Sequence, residues 1–69
     1  MDNYNLVIIV DGRKFYFLGM KDDMPFMDEK PKNAIIVNGI EVFEIKEKIK
    51  QYFEKMDKKV EIISKKVKY

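Results

Sequence analysis

The chain is 69 residues long, 46% hydrophobic and 38% charged, with a formal net charge of +2. That is enough apolar material for one packed domain over residues 1–69, near the lower size limit for a self-sustaining core, and too much for a disordered chain. With no Cys and no His, disulfides, thiolate metal sites and imidazole acid–base chemistry are excluded.

Charge is spread unevenly. Residues 1–47 carry nine acids and six bases, whereas residues 48–69 carry three acids and eight lysines. Such a lysine-rich final third could meet an acidic partner or nucleic acid, but it better suits a small domain kept soluble and protected at a sheet edge. The opening run "MDNYNLVIIV" has no basic leader, and its apolar stretch is too short to span a bilayer. A soluble cytoplasmic protein without membrane association is expected.

The first predicted element is a hairpin over residues 4–19. "NLVIIV" and "RKFYFLGM" flank Asp11-Gly12, a pair suited to the positive φ angles of a two-residue type I′ turn. In that register Val10 faces Arg13, Ile8 faces Phe15 and Leu6 faces Phe17. One face then carries Leu6, Ile8, Val10, Phe15 and Phe17. The other carries Asn5, Val7, Ile9, Lys14, Tyr16 and Leu18. That second face is also more than half apolar, and a sheet covered by one helix has no internal use for it.

Residues 20–33 read as a long loop, because Pro25 and Pro31 each push the preceding residue towards extended backbone and interrupt any helix. The loop sets Met24, Phe26 and Met27 among the carboxylates of Asp22, Asp23, Asp28 and Glu29. Two readings stand side by side. Phe26 and one Met fold back to plug the end of the sheet, or Met24, Phe26 and Met27 are displayed as an adaptable anchor for a partner. In the second reading Asp22 and Asp23 keep the loop soluble and steer it towards a basic surface. The carboxylates lack the alternating spacing, central glycine and closing glutamate of a calcium loop, so no metal is expected.

Residues 34–37, "AIIV", read as a short buried strand. Asn38-Gly39 then offers either a second hairpin or a helix N-cap. The helix is favoured because Val42, Ile45, Ile49, Tyr52, Phe53 and Met56 fall in one stripe at a 3.6-residue period, giving a helix over 39–56. Ile40 and Phe43 fall off the stripe. The final strand, 59–67, puts Val60 and Ile62 on one face and Glu61, Ile63 and Lys65 on the other. The predicted fold is α+β: a small mixed four-stranded sheet in the order β-β-β-α-β, with the helix packed on one face and the strand–helix–strand unit making a parallel pair.

Catalytic groups are few. A nucleophile would have to rest on Ser64, the single serine, with a lysine base and without the glycines of a nucleophile elbow. Gly12, Gly19 and Gly39 form no phosphate-binding spacing. No enzymatic activity and no cofactor are expected. Nucleic-acid binding by Lys58, Lys59, Lys65, Lys66 and Lys68 is the alternative. Thirteen of the fourteen basic residues are lysine, which contacts phosphate but rarely reads bases, so such binding would be weak and sequence-blind.

The layout of "VIIVDGRKFYFLG", "PFMDEKPKNAIIV", "NGIEVFEIKEKIKQYF" and "KKVEIISKKV" resembles small proteins of phages and mobile elements with AT-rich genomes. The matching positions are Asp11-Gly12, Phe26 with Asp28, Ala34, and Val60 to Ile63. It is a likeness of layout and composition with no invariant motif, and the helix opens on Asn38-Gly39 where a Ser and paired glutamates would be expected. Several such proteins block host defences, including CRISPR nucleases and restriction systems, by binding a protein component. The resemblance implies a non-enzymatic, anti-CRISPR-like inhibitor or modulator of a host protein complex, encoded by a virus or mobile element and acting in the host cytoplasm. The expected contact residues are Met24, Phe26, Met27, Asp22 and Asp23. The outer hairpin face, Val7, Ile9, Tyr16 and Leu18, would serve the target or a second copy in a homodimer. A weak nucleic-acid-binding accessory protein and a self-assembling structural protein are the competing readings.

Overall fold

In the computed structural model, which describes residues 2–67, Asp11 and Gly12 adopt φ angles of 50° and 83°. These are the two positive values a type I′ turn requires. The turn joins β1 (Asn3–Val10) to β2 (Arg13–Lys21), with Val10 opposite Arg13, Ile8 opposite Phe15 and Val7 opposite Tyr16. Beyond Val7 the two strands part. The Phe17 carbonyl accepts from the Ile35 N–H (3.2 Å) instead of pairing with Leu6. The vacated edge of β1 is taken by β4 (Val37–Asn38), which pairs with Tyr4 and Asn3.

Residues 20–33 are not a loop. Asp22 and Asp23 both lie at positive φ, 51° and 61°, and make a second two-residue reversal. Aspartate tolerates this region because its short carboxylate bonds to nearby backbone. The reversal leads into β3 (Met24–Asp28), antiparallel to β2, followed by a 3-10 turn over Pro31–Asn33. Pro25 fits because β3 is an edge strand, where a missing N–H costs little. Between Phe17 and Gly19 the register slips by one residue, so that Leu18 and Gly19 together oppose Phe26. Gly19 has φ of 141°, which side-chain-bearing residues rarely adopt. The bulge returns Met20 to the core side, where it packs against the buried cluster.

The helix α1 (Gly39–Lys55) starts where the Asn38 side chain accepts from the Ile40 N–H (2.9 Å), which rules out a hairpin over 38–43. It ends without glycine. Asp57 takes the left-handed position (φ 55°), while Lys58 N–H donates to the Phe53 carbonyl (3.0 Å) and Asp57 N–H to that of Glu54 (3.0 Å). This is a Schellman closure with aspartate in the glycine place.

The last strand, β5 (Val60–Lys66), pairs antiparallel with β1 from Val10 to Tyr4. Tyr4 is paired with both Val37 and Lys66, so β4 and β5 flank β1 on opposite edges. They run in the same direction but never meet. The expected strand–helix–strand crossover is present with β1 between its strands, so every ladder is antiparallel and the predicted mixed sheet with a parallel pair does not form. Five strands replace four, because the segment read as loop supplies β3. The strand expected over 34–37 shrinks to Val37–Asn38, as residues 34–36 cross the gap between β1 and β2. The class, α+β with one helix on one sheet face, stands.

Leu6, Ile8, Val10, Phe17 and Val37 meet Ile49 and Phe53 of α1 in one buried cluster. Each such side chain contributes roughly 1.5–3 kcal/mol by leaving water.

Candidate protein-docking face

Residues directly opposite in a ladder share a face of the sheet, so the pairings sort every strand residue. Ile8, Phe15 and Ile62 lie on the helix side. On the other side a row runs from Asp28 through Tyr16 and Val7 to Ile63. Ile9 lies beside it, between Lys14 and Glu61, and Asn5 lies beside it opposite Lys65. Through the bulge Leu18 joins this face together with Phe26, and Met24 follows opposite Lys21.

The stretch "MPFMD" therefore alternates as a strand. Met24 and Phe26 point outward, 41% and 42% exposed, while Pro25 is buried and Met27 packs against the core. Phe26 does not plug the sheet. Met27, expected in the contact surface, faces the other way because successive strand residues take opposite faces. Asp22 and Asp23 sit exposed at the tip of the turn that carries Met24.

The outer face thus gathers apolar side chains from β1, β2, β3 and β5. Val7 forms its floor at 1% exposure, yet lies outside the buried cluster under the helix. Ile9, Tyr16 and Leu18 are half-buried around it, and Ile63, 39% exposed, extends the patch onto β5. The contacts of α1 are made by Ile49, Phe53 and their neighbours on the opposite face, so the helix does not pack over this one. Its margin is charged. Lys14 lies with its ammonium 5.5 Å from the Tyr16 ring centre, and Glu61, Lys65 and Asp28 stand at the corners. Arg13 is ion-paired with Glu29, tying the start of β2 to the end of β3. Ile63 is the residue that sequence reasoning left out of the site. Its alternation with Ile62 was visible, but not that β5 would lie against β1.

The lysines of the alternative reading are dispersed. Lys58 and Lys59 precede β5, whereas Lys65 and Lys66 end it on opposite faces, roughly 20 Å away at about 3.3 Å per residue. Lys58 is paired with Asp11 (3.9 Å) and Lys66 with Asp2 (3.3 Å). Lys68 lies outside the described residues. Ser64 does meet a lysine, with Lys46 Nζ 3.5 Å from its Oγ, at the outer limit of a hydrogen bond. Lys46 belongs to α1 and Ser64 to the helix side of β5, so the pair lies between helix and sheet. Among the described residues no group of three or more Asp and Glu is placed to hold a metal ion, and no helix is long and apolar enough to cross a membrane. Comparison with known protein families, with curated proteins and with solved structures gave no match.

Proposed function

We propose that the protein acts by binding another protein through the outer face of its sheet, without catalysis, as an inhibitor or modulator of the complex it joins. The observation that carries this reading is the apolar row Tyr16–Val7–Ile63 on the face away from the helix, where Ile63, Phe26 and Met24 are exposed and Tyr16 and Leu18 half-buried around the covered Val7. A sheet face of this composition costs solubility when left wet, and contiguous exposed apolar surface with a charged rim marks interaction sites. Phe26 and Tyr16 are the anchors such a contact would bury, Met24 adapts to an irregular surface, and Asp22 and Asp23 at the turn tip favour a partner with basic surface nearby. The paired and scattered lysines support the nucleic-acid reading less well.

The test is affinity capture at physiological salt with nuclease treatment, read by mass spectrometry, comparing the wild-type protein with Tyr16→Lys and with Phe43→Ser. Phe43 is 73% exposed on the far side of the helix and serves as the control. The proposal expects one stoichiometric protein that Phe43→Ser retains and Tyr16→Lys loses. Capture only of proteins that disappear once nuclease is added, or of a protein that Tyr16→Lys still retains, would overturn it.

A further inference from the structure

The two edges of the sheet are not equivalent. The β3 edge is short, carries Pro25, and twists at the bulge beside Leu18, all devices that stop further strands from adding. The β5 edge has none of these. It is seven residues long, without proline or bulge, and among the described residues pairs with β1 alone.

Which backbone groups it leaves free follows from the hydrogen bonds it makes. Asp11 N–H donates to the Lys59 carbonyl (3.4 Å) and Val67 N–H to the Asn3 carbonyl (2.8 Å). The odd-numbered residues of β5 therefore turn their backbone groups towards β1, and Val60, Ile62, Ser64 and Lys66 turn theirs to the open edge. The side chains carry a second pattern. On the outer face β5 reads Glu61, Ile63, Lys65: an acid and a base placed symmetrically about an apolar residue.

We infer that β5 is the seam of a two-fold homodimer, pairing antiparallel with β5 of a second copy about an axis through Ile63. A two-fold axis normal to the sheet keeps each face on its own side, so residue i pairs with a residue of the same face. Of the registers this permits, the one that engages all of Val60–Lys66 sets Ile63 opposite Ile63 and Glu61 opposite Lys65 of the partner, twice. Opposite charges across a ladder stabilise it, and in this register the contacts fall at non-hydrogen-bonded pairs, where side chains approach most closely. On the helix side the same register sets Ile62 opposite Ser64 and Val60 opposite Lys66, so no lysine faces a lysine. Displacing the register by two residues puts Lys65 or Glu61 against Ile63 and leaves the charges unmatched. An isologous contact of this kind closes after two copies and goes no further. It also joins the two outer faces into one continuous apolar surface, so each dimer presents two Phe26 anchors on the same side.

The test is sedimentation equilibrium from micromolar to millimolar protein, at low salt, on charge variants of the full chain. Glu61 and Lys65 are exposed, so their replacement leaves the core intact. Glu61→Lys and Lys65→Glu each set like charges against one another at both ends of the seam, and each should weaken the dimer about tenfold or more. The double variant Glu61→Lys/Lys65→Glu should restore wild-type association. Mixing the two single variants should yield a heterodimer more stable than either homodimer. Phe26→Ser should leave association unchanged. A wild-type chain that stays monomeric throughout overturns the inference, as does a dimer that ignores the charge variants or that Phe26→Ser dissolves.

Discussion

Val7 stands directly opposite Ile63 in the β1–β5 ladder, and it is 1% exposed on the sheet face away from the helix. A residue that well covered on an otherwise open face is roofed only by its neighbours' side chains. Val7 contributes to two properties at once, the stability of the strand and the flatness of the docking surface. Val7→Ala is expected to cost about 2 kcal/mol, close to a buried position under the helix, measurable by chemical denaturation. A loss below about 0.5 kcal/mol would mean that Val7 is effectively wet, on the scale of ordinary surface substitutions.

Gly19 offers a different lever. A Cβ built on it meets nothing within 4 Å, so any penalty for Gly19→Ala comes from backbone conformation alone. At φ of 141° the expected destabilisation is about 1–3 kcal/mol. Because the bulge sets the register of β3, amide exchange should also quicken over Met24–Asp28. Unchanged exchange there would show that β3 holds its register without the bulge.

Asp57 closes α1 from the left-handed region at φ 55°, where glycine is free of the side-chain cost. Asp57→Gly should raise stability by about 0.5–1 kcal/mol and the melting temperature by several degrees for a chain of this size. Asp23→Gly at φ 61° should act in the same direction. A fall in melting temperature for both would show that the aspartate side chains secure these turns by more than tolerance of φ.

Asn5 lies on the outer face opposite Lys65, and its Oδ1 is covered without a hydrogen-bond partner. Leaving such an oxygen unpaired costs about 1–3 kcal/mol, and valine also suits a central strand. Asn5→Val is therefore expected to stabilise the fold by about 1 kcal/mol. A destabilised variant would mean that the amide is satisfied in solution.

The sequence announced the elements that rest on local chemistry. Asp11-Gly12 predicted its turn, Asn38 its cap, and the stripe from Val42 to Phe53 its helix, because each signal lies within a few residues of its effect. What stayed hidden depends on partners distant in the chain. Asp22-Asp23 carries no glycine to mark a reversal, and the prolines at 25 and 31 masked an edge strand. Nothing in "AIIV" says that Ile35 will take the Phe17 carbonyl and force β1 and β2 apart. The docking face was half legible: the hairpin showed Val7, Ile9, Tyr16 and Leu18, but placing Phe26 and Met24 beside them, and Met27 behind, needed the bulge and the β3 pairing.

The two sides of β3 supply the most direct measurement. Met24→Ser/Phe26→Ser and Met27→Ser would each be melted and each used for capture of the partner. The outward pair is expected to melt near the wild-type temperature and lose the partner, while Met27→Ser lowers the melting temperature and still captures the partner below it. An outward pair that unfolds the protein, or that captures the partner as well as the wild type, would contradict that expectation.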